Sequence, residues 1–80
     1  MIKTQLRVDE QDIIIKGQDT AFVEALTQWE ILPWIKYLRE HGSISRVEHT
    51  KHIEINAQMY TVIWDLPPEH QTYFYLLYQH

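Results

Sequence analysis

Met59-Tyr60-Thr61-Val62-Ile63-Trp64 is the stretch on which the fold turns. As a strand it places Tyr60, Val62 and Trp64 on one face and Met59, Thr61 and Ile63 on the other. Both faces are largely apolar, the pattern of a central strand or of a strand with one face kept for contact. Upstream, Lys51 to Asn56 alternates, with Ile53 and Ile55 inward and His52 and Glu54 outward. Asn56-Ala57-Gln58 between the two runs reads as a tight turn, since Asn tolerates left-handed angles. The segment before it, residues 43–48, reads as weakly extended.

The N-terminal end predicts a second hairpin. Ile2, Thr4, Leu6 and Val8 alternate with Lys3, Gln5 and Arg7, which makes a half-buried strand. Asp9-Glu10-Gln11-Asp12 reads as its loop, and the β-branched Ile13-Ile14-Ile15 with Lys16 as the returning strand, stopped at Gly17. Asp19 or Thr20 then caps a helix carrying Phe22, Leu26 and Trp29 on one face. Pro33 removes a helical donor and either kinks this helix or separates two, over about 20–31 and 33–41. Ile31, Trp34, Ile35 and Leu38 form the apolar face of the second part, and Gly42 is its expected C-cap.

Residues 69–79 carry conflicting signals. Pro67-Pro68-Glu69 starts a helix, whereas Tyr73-Phe74-Tyr75-Leu76-Leu77-Tyr78 has strand propensity. The start signal favours helix. The chain is thus expected to be one α+β domain over 1–80: a small antiparallel sheet of two hairpins with helices packed on one face, in the order ββααβββα. The predicted core is Leu6, Val8, Ile13, Ile15, Phe22, Leu26, Trp29, Leu38, Ile53, Ile55, Val62 and Trp64.

Eighty residues bury only about 60–65% of the surface the unfolded chain exposes, so stability is marginal. With no cysteine, disulfides and thiolate metal sites are excluded. The remaining staples are the ten aromatic residues or a partner subunit. The longest apolar run is Ile13-Ile14-Ile15, and the start lacks an apolar signal core, so cytoplasmic residence is expected. Five histidines do not assemble a ligand set in this pattern. His49 and His52 fall on opposite faces of an extended segment, and neither metal nor cofactor is expected. Ser43 and Ser45 near His41 and His49 form no nucleophile elbow, and no phosphate loop is present, so no enzymatic activity is expected.

Net charge is −4 but uneven. Residues 33–52 form a cationic island with Lys36, Arg39, Arg46 and Lys51, flanked by acidic segments. Asp9, Glu10, Asp12 and Asp19 read either as a solvated loop or as a carboxylate display for a basic partner. Tyr73, Tyr75 and Tyr78 belong to a segment apolar on every side. Either it wraps the core or it offers a contact face, and a homodimer through it would supply cover.

Trp34-Ile35-Lys36-Tyr37-Leu38-Arg39-Glu40-His41-Gly42-Ser43-Ile44-Ser45-Arg46 resembles the first helix and turn of winged-helix DNA-binding domains. Those often end a helix in Leu-Arg-x-x-Gly and continue Ser-Ile-Ser-Arg. The resemblance spans thirteen residues and implies DNA binding through a recognition helix further on. Residues 47–55 pass into a β pattern instead. In overall profile the chain is similar to small inhibitors from phage and mobile elements, anti-CRISPR proteins among them. The function expected is that of a small acidic protein-binding module, a regulator or inhibitor of a larger complex that handles nucleic acid. The partner is a protein rather than nucleic acid or membrane. The alternative is a nucleic-acid-binding module using the basic stretch 36–52.

Overall fold

A computed structural model describes residues 1–78; residue 79, placed in the last helix by the sequence pattern, lies outside the described residues. Three strands and four helices follow in the order β1 (Ile2–Asp9), α1 (Glu10–Lys16), α2 (Gln18–Glu30), α3 (Pro33–His41), β2 (Ser43–His52), β3 (Ala57–Asp65) and α4 (Pro68–Tyr78). The strands form one antiparallel sheet in the order β1-β3-β2. The fold is α+β, as its sequence predicts, with β3 in the centre.

β1 shows the expected alternation, and Ile2, Thr4, Leu6 and Val8 are buried beneath the helices. Opposite them in register lie Trp64, Val62, Tyr60 and Gln58 of β3. Ile2, Leu6, Val62 and Trp64 join Trp29, Ile35, Leu38, Leu66 and Phe74 in one core cluster. The Trp64 indole donates to Thr4 Oγ1 at 2.9 Å, so the one buried hydroxyl of β1 and the one buried indole N–H of β3 satisfy each other.

The first hairpin does not form. Residues 10–16 are helix α1, and the order is βαααββα with a single hairpin, β2–β3. Local electrostatics outweigh the β-propensity of three isoleucines here. Glu10 and Asp12 occupy the first helical turn and Lys16 the last, each sign matching the helix dipole. Lys16 Nζ also donates to Glu24 of α2 at 2.7 Å. The expected strand position beside β1 is taken by β3, whose apolar faces offer more burial. Ile15 therefore leaves the predicted core (69% exposed), and Ile13 is only half-buried. Gly17 joins α1 to α2 at φ 88 and ψ 156, a region essentially restricted to glycine, so α2 begins before Asp19 and Thr20.

Pro33 separates two helices. Leu32 adopts extended angles before it, as the proline requires, and α3 starts at the proline itself. β2 is one strand of ten residues with a bulge between Ile44 and Arg46, where the sequence suggests two weaker segments. The turn falls at Ile53–Asn56 rather than 56–58. Asn56 takes the left-handed angle (φ 52), and its N–H bonds Ile53 O at 3.2 Å. Ile53 and Ile55 consequently sit on the turn and not in the core, Ile53 being 85% exposed. Residues 43–65 contain strand and turn only, so the recognition helix that the winged-helix resemblance implies is not there.

Gly42 ends α3 with extended rather than left-handed angles. Its requirement is space: a Cβ would lie 2.8 Å from Asp65 O and 2.9 Å from Leu66 Cδ2. Gly42→Ala is expected to lower stability by about 1–3 kcal/mol through overpacking, read as a lower urea midpoint at unchanged m-value. An unchanged midpoint would show that the α3 end and the β3 end separate freely.

Candidate functional site

α4 is built from its N-terminus by Pro68 and by Glu69 in the first turn. Gln71 N–H bonds Pro67 O at 3.0 Å, and its side-chain amide donates to Leu66 O at 3.1 Å. At 100° per residue, His70, Phe74 and Tyr78 share the inward face. Phe74 is buried in the core, and Tyr78 packs against Trp34 and Tyr37 of α3 with ring centroids 6.4 and 6.0 Å apart.

The opposite face of α4 has no cover among the described residues. Tyr73, Tyr75, Leu76 and Leu77 are all exposed, Leu76 by 65% and Tyr73 by 59%. Tyr73, Leu76 and Leu77 fall at i, i+3, i+4 and so lie side by side. Trp34, also exposed, continues apolar surface from α3 past Tyr78. Of the three tyrosines singled out by sequence, the structure splits Tyr73 and Tyr75 to the outer surface and Tyr78 to the seam between α3 and α4.

That seam is aromatic and polar together. Tyr37 OH lies 3.0 Å from His70 Nδ1, and the His70 and His41 rings stack at 4.3 Å. Desolvation raises the Tyr37 pKa above the ordinary tyrosine value, with smaller contributions from Tyr73 and Tyr78. Beyond the seam, a groove of about 330 Å³ runs between α4, the α2–α3 joint and β1, lined by Lys3, Gln5, Trp29, Trp34 and Tyr78 among others. The buried Trp29 Nε1–H has no acceptor among the described residues.

The cationic island is dispersed. Lys36 and Arg39 stand on α3, and Arg46 and Lys51 on β2, where their odd spacing sends them to opposite faces. Arg39 faces Glu30 at 3.7 Å, Arg46 pairs with Glu48 at 2.8 Å, and Lys51 reaches Glu10 at 3.6 Å. The structure does not gather these four residues into one surface. The acidic set is likewise partly consumed. Asp9 accepts from Arg7 Nε at 2.7 Å, and Glu10 accepts from Gln58 Nε2 at 3.2 Å while facing Lys51. Asp12 lines a charged groove with Arg7, Lys16 and Glu24. Among the described residues no three of His, Cys, Asp and Glu come together as a metal-binding group, and no helix is long and apolar enough to cross a membrane.

Sequence reasoning missed β2 as a surface. All ten of its residues are exposed, Ile44 and Val47 included. The available signal was composition. Ser-Ile-Ser-Arg-Val-Glu-His-Thr-Lys-His holds two apolar residues in ten, too few to bury either face, which marks an edge strand. No protein-family model, curated protein or solved structure matches the chain.

The Tyr37 shift has a pH consequence. The folded state holds this proton to higher pH than the unfolded chain. Its stabilising effect is complete below the ordinary tyrosine pKa and is lost as pH rises through the raised one. The fall in melting temperature between about pH 8 and 11 is expected to be smaller in Tyr37→Phe than in the native protein. Equal falls in both would remove Tyr37 from this role.

Proposed function

We propose that the chain is a small acidic protein-binding module that regulates or inhibits a larger complex, docking through the outer face of α4. The observation that carries this reading is the exposed set Tyr73, Tyr75, Leu76 and Leu77 on a helix whose inner face is already filled. Tyr73, Leu76 and Leu77 lie side by side, and an apolar patch of this kind on so small a domain marks a contact site, with tyrosine supplying large area at low entropic cost. Glu69 stands one turn before Tyr73 on the same helix, and the whole chain carries −4. The fitting partner surface is therefore an apolar pocket rimmed by cations, as on proteins that handle nucleic acid. In that respect the reading stays with the class of small phage and mobile-element inhibitors, anti-CRISPR proteins among them, by analogy of profile. A homodimer through the same helix face is the rival occupant.

Direct nucleic-acid binding is the weaker reading. Phosphate affinity grows with the number of cations free to displace counterions. Arg39, Arg46 and Lys51 each face a carboxylate, and they are divided between α3 and the two faces of β2. No sub-micromolar gel shift on duplex or single-stranded DNA or RNA is expected near physiological salt; one abolished by Lys36→Glu/Arg39→Glu would reverse this ranking.

The docking face is tested with the tagged chain and a Leu76→Ser/Leu77→Ser variant as baits in a host lysate, followed by titration of the purified partner. Both leucines are exposed, so the variant keeps the native circular dichroism spectrum. Its affinity is expected to fall at least about tenfold, since losing two buried leucines at an interface costs upward of about 2 kcal/mol. Equal affinity of variant and native chain would remove α4 as the docking face. Sedimentation of the free protein separates the rival, because a dimer abolished by the same two serines would assign the face to a second copy.

A further inference from the structure

The free edge of β2 is independent of α4 and carries its own pattern. β3 pairs with one edge of β2, from Ser43 to His52, and the other edge has no neighbour among the described residues. The helices pack over β1 and β3, and β2 projects past them with both faces exposed. The molecule measures 43 × 23 × 22 Å with a radius of gyration of 14.0 Å, against about 12 Å for a compact chain of this length. Edge strands are usually short, covered, or interrupted by proline. β2 is ten residues long, uncovered and without proline.

Its charges are arranged with two-fold symmetry. Arg46 and Glu48 flank Val47, point to the face away from the helices and contact each other at 2.8 Å. We propose that two copies of this chain pair antiparallel through their β2 edges, centred on Val47, to make one continuous six-stranded sheet. An isologous pair of antiparallel strands places each residue opposite a residue of the same face, so the axis must pass beside a residue matched with its own copy. Centred on Arg46, the pairing sets arginine against arginine; centred on Glu48, it sets glutamate against glutamate. Centred on Val47, it sets Arg46 against Glu48 of the second copy and Glu48 against Arg46, twice by symmetry. Val47 then meets Val47 on the helix side, where it is 53% exposed. Within the regular segment from Arg46 to His52, no other centre opposes arginine to glutamate. The same charges that discourage unregistered stacking of edges thus admit this one register. The bulge at Ser45 interrupts the ladder beyond it, which keeps the interface small and the dimer dissociable.

Sedimentation equilibrium of the full chain from about 5 to 300 µM covers the range expected for a small interface. The native protein is expected to move from 9.7 kDa toward twice that mass. Arg46→Glu and Glu48→Arg each convert two attractive cross-strand pairs into repulsive ones and are expected to weaken the dimer at least about tenfold. The exchanged variant R46E/E48R restores opposite charges at both pairs and is expected to regain native association. Both substituted residues are exposed, and circular dichroism checks the fold of all three variants. A native chain that stays at 9.7 kDa throughout would overturn the proposal. So would a dimer indifferent to both single variants, a failure of the exchange to restore it, or a dimer lost only with Leu76→Ser/Leu77→Ser, which assigns association to α4.

Discussion

Everything in this fold depends on β3 having two strand neighbours. Among the described residues it is the only strand hydrogen-bonded along both edges, to β1 over Ile2–Asp9 and to β2 over Ser43–His52. A three-stranded sheet is about the smallest that holds its own shape, and it does so only with a covered apolar face. β3 supplies Val62 and Trp64 to the helix side and buries Ile63 on the other. Ile63 lies in register between Lys3 and Arg46, side chains with stems long enough to cross it. The Trp64–Thr4 hydrogen bond fixes that register from inside, because a one-residue slip of β1 would turn Thr4 to the face opposite Trp64.

This centrality explains which parts of the fold are legible in the sequence. Where burial decides structure, the pattern of apolar residues reports it. The alternation of β1 and the Val62/Trp64 side of β3 both face the core. Pro33 is legible for a local covalent reason that no tertiary contact can override. α1 is illegible because burial does not decide it. No residue of α1 is fully buried, Ile14 and Ile15 face outward, and acids at its start with lysine at its end set the conformation. Ile53 and Ile55 mislead in the same way, since their alternation continues past the point where Asn56 turns the chain. Gly42 is recognised as a helix end by residue type, yet it is needed for clearance against Asp65 and Leu66, which only the packed structure reveals.

The candidate surfaces divide along the same line. The exposure of α4 follows from arithmetic on the sequence: a helix with apolar residues on all sides, in a domain with one core, must leave one side out. Its direction is set by Phe74 and Tyr78, which commit the inner face. The cationic island, by contrast, is a property of the one-dimensional sequence. Folding places Lys36 and Arg39 on a helix and Arg46 and Lys51 on opposite faces of a strand, and it gives three of the four a carboxylate neighbour. Proximity along the chain says little about proximity in space once a helix and a strand divide the segment.

The two apolar or unpaired surfaces that remain do not compete. The groove beside α4 has β1 as its other wall, whereas the free backbone edge belongs to β2, on the far side of β3. Between them stands the width of the sheet, two strand spacings of about 4.8 Å each. An assembly through β2 would leave both copies of α4 facing outward from opposite ends of one extended sheet. Two copies of the same docking face on one particle raise effective concentration at any partner that repeats its own site. A domain too small to build a large interface from one surface would gain avidity from such symmetry instead. The cost falls on β2, which must keep enough polar character to stay unpaired at low concentration. Its eight polar residues in ten meet that requirement while Val47 and the Arg46–Glu48 pair keep one register open.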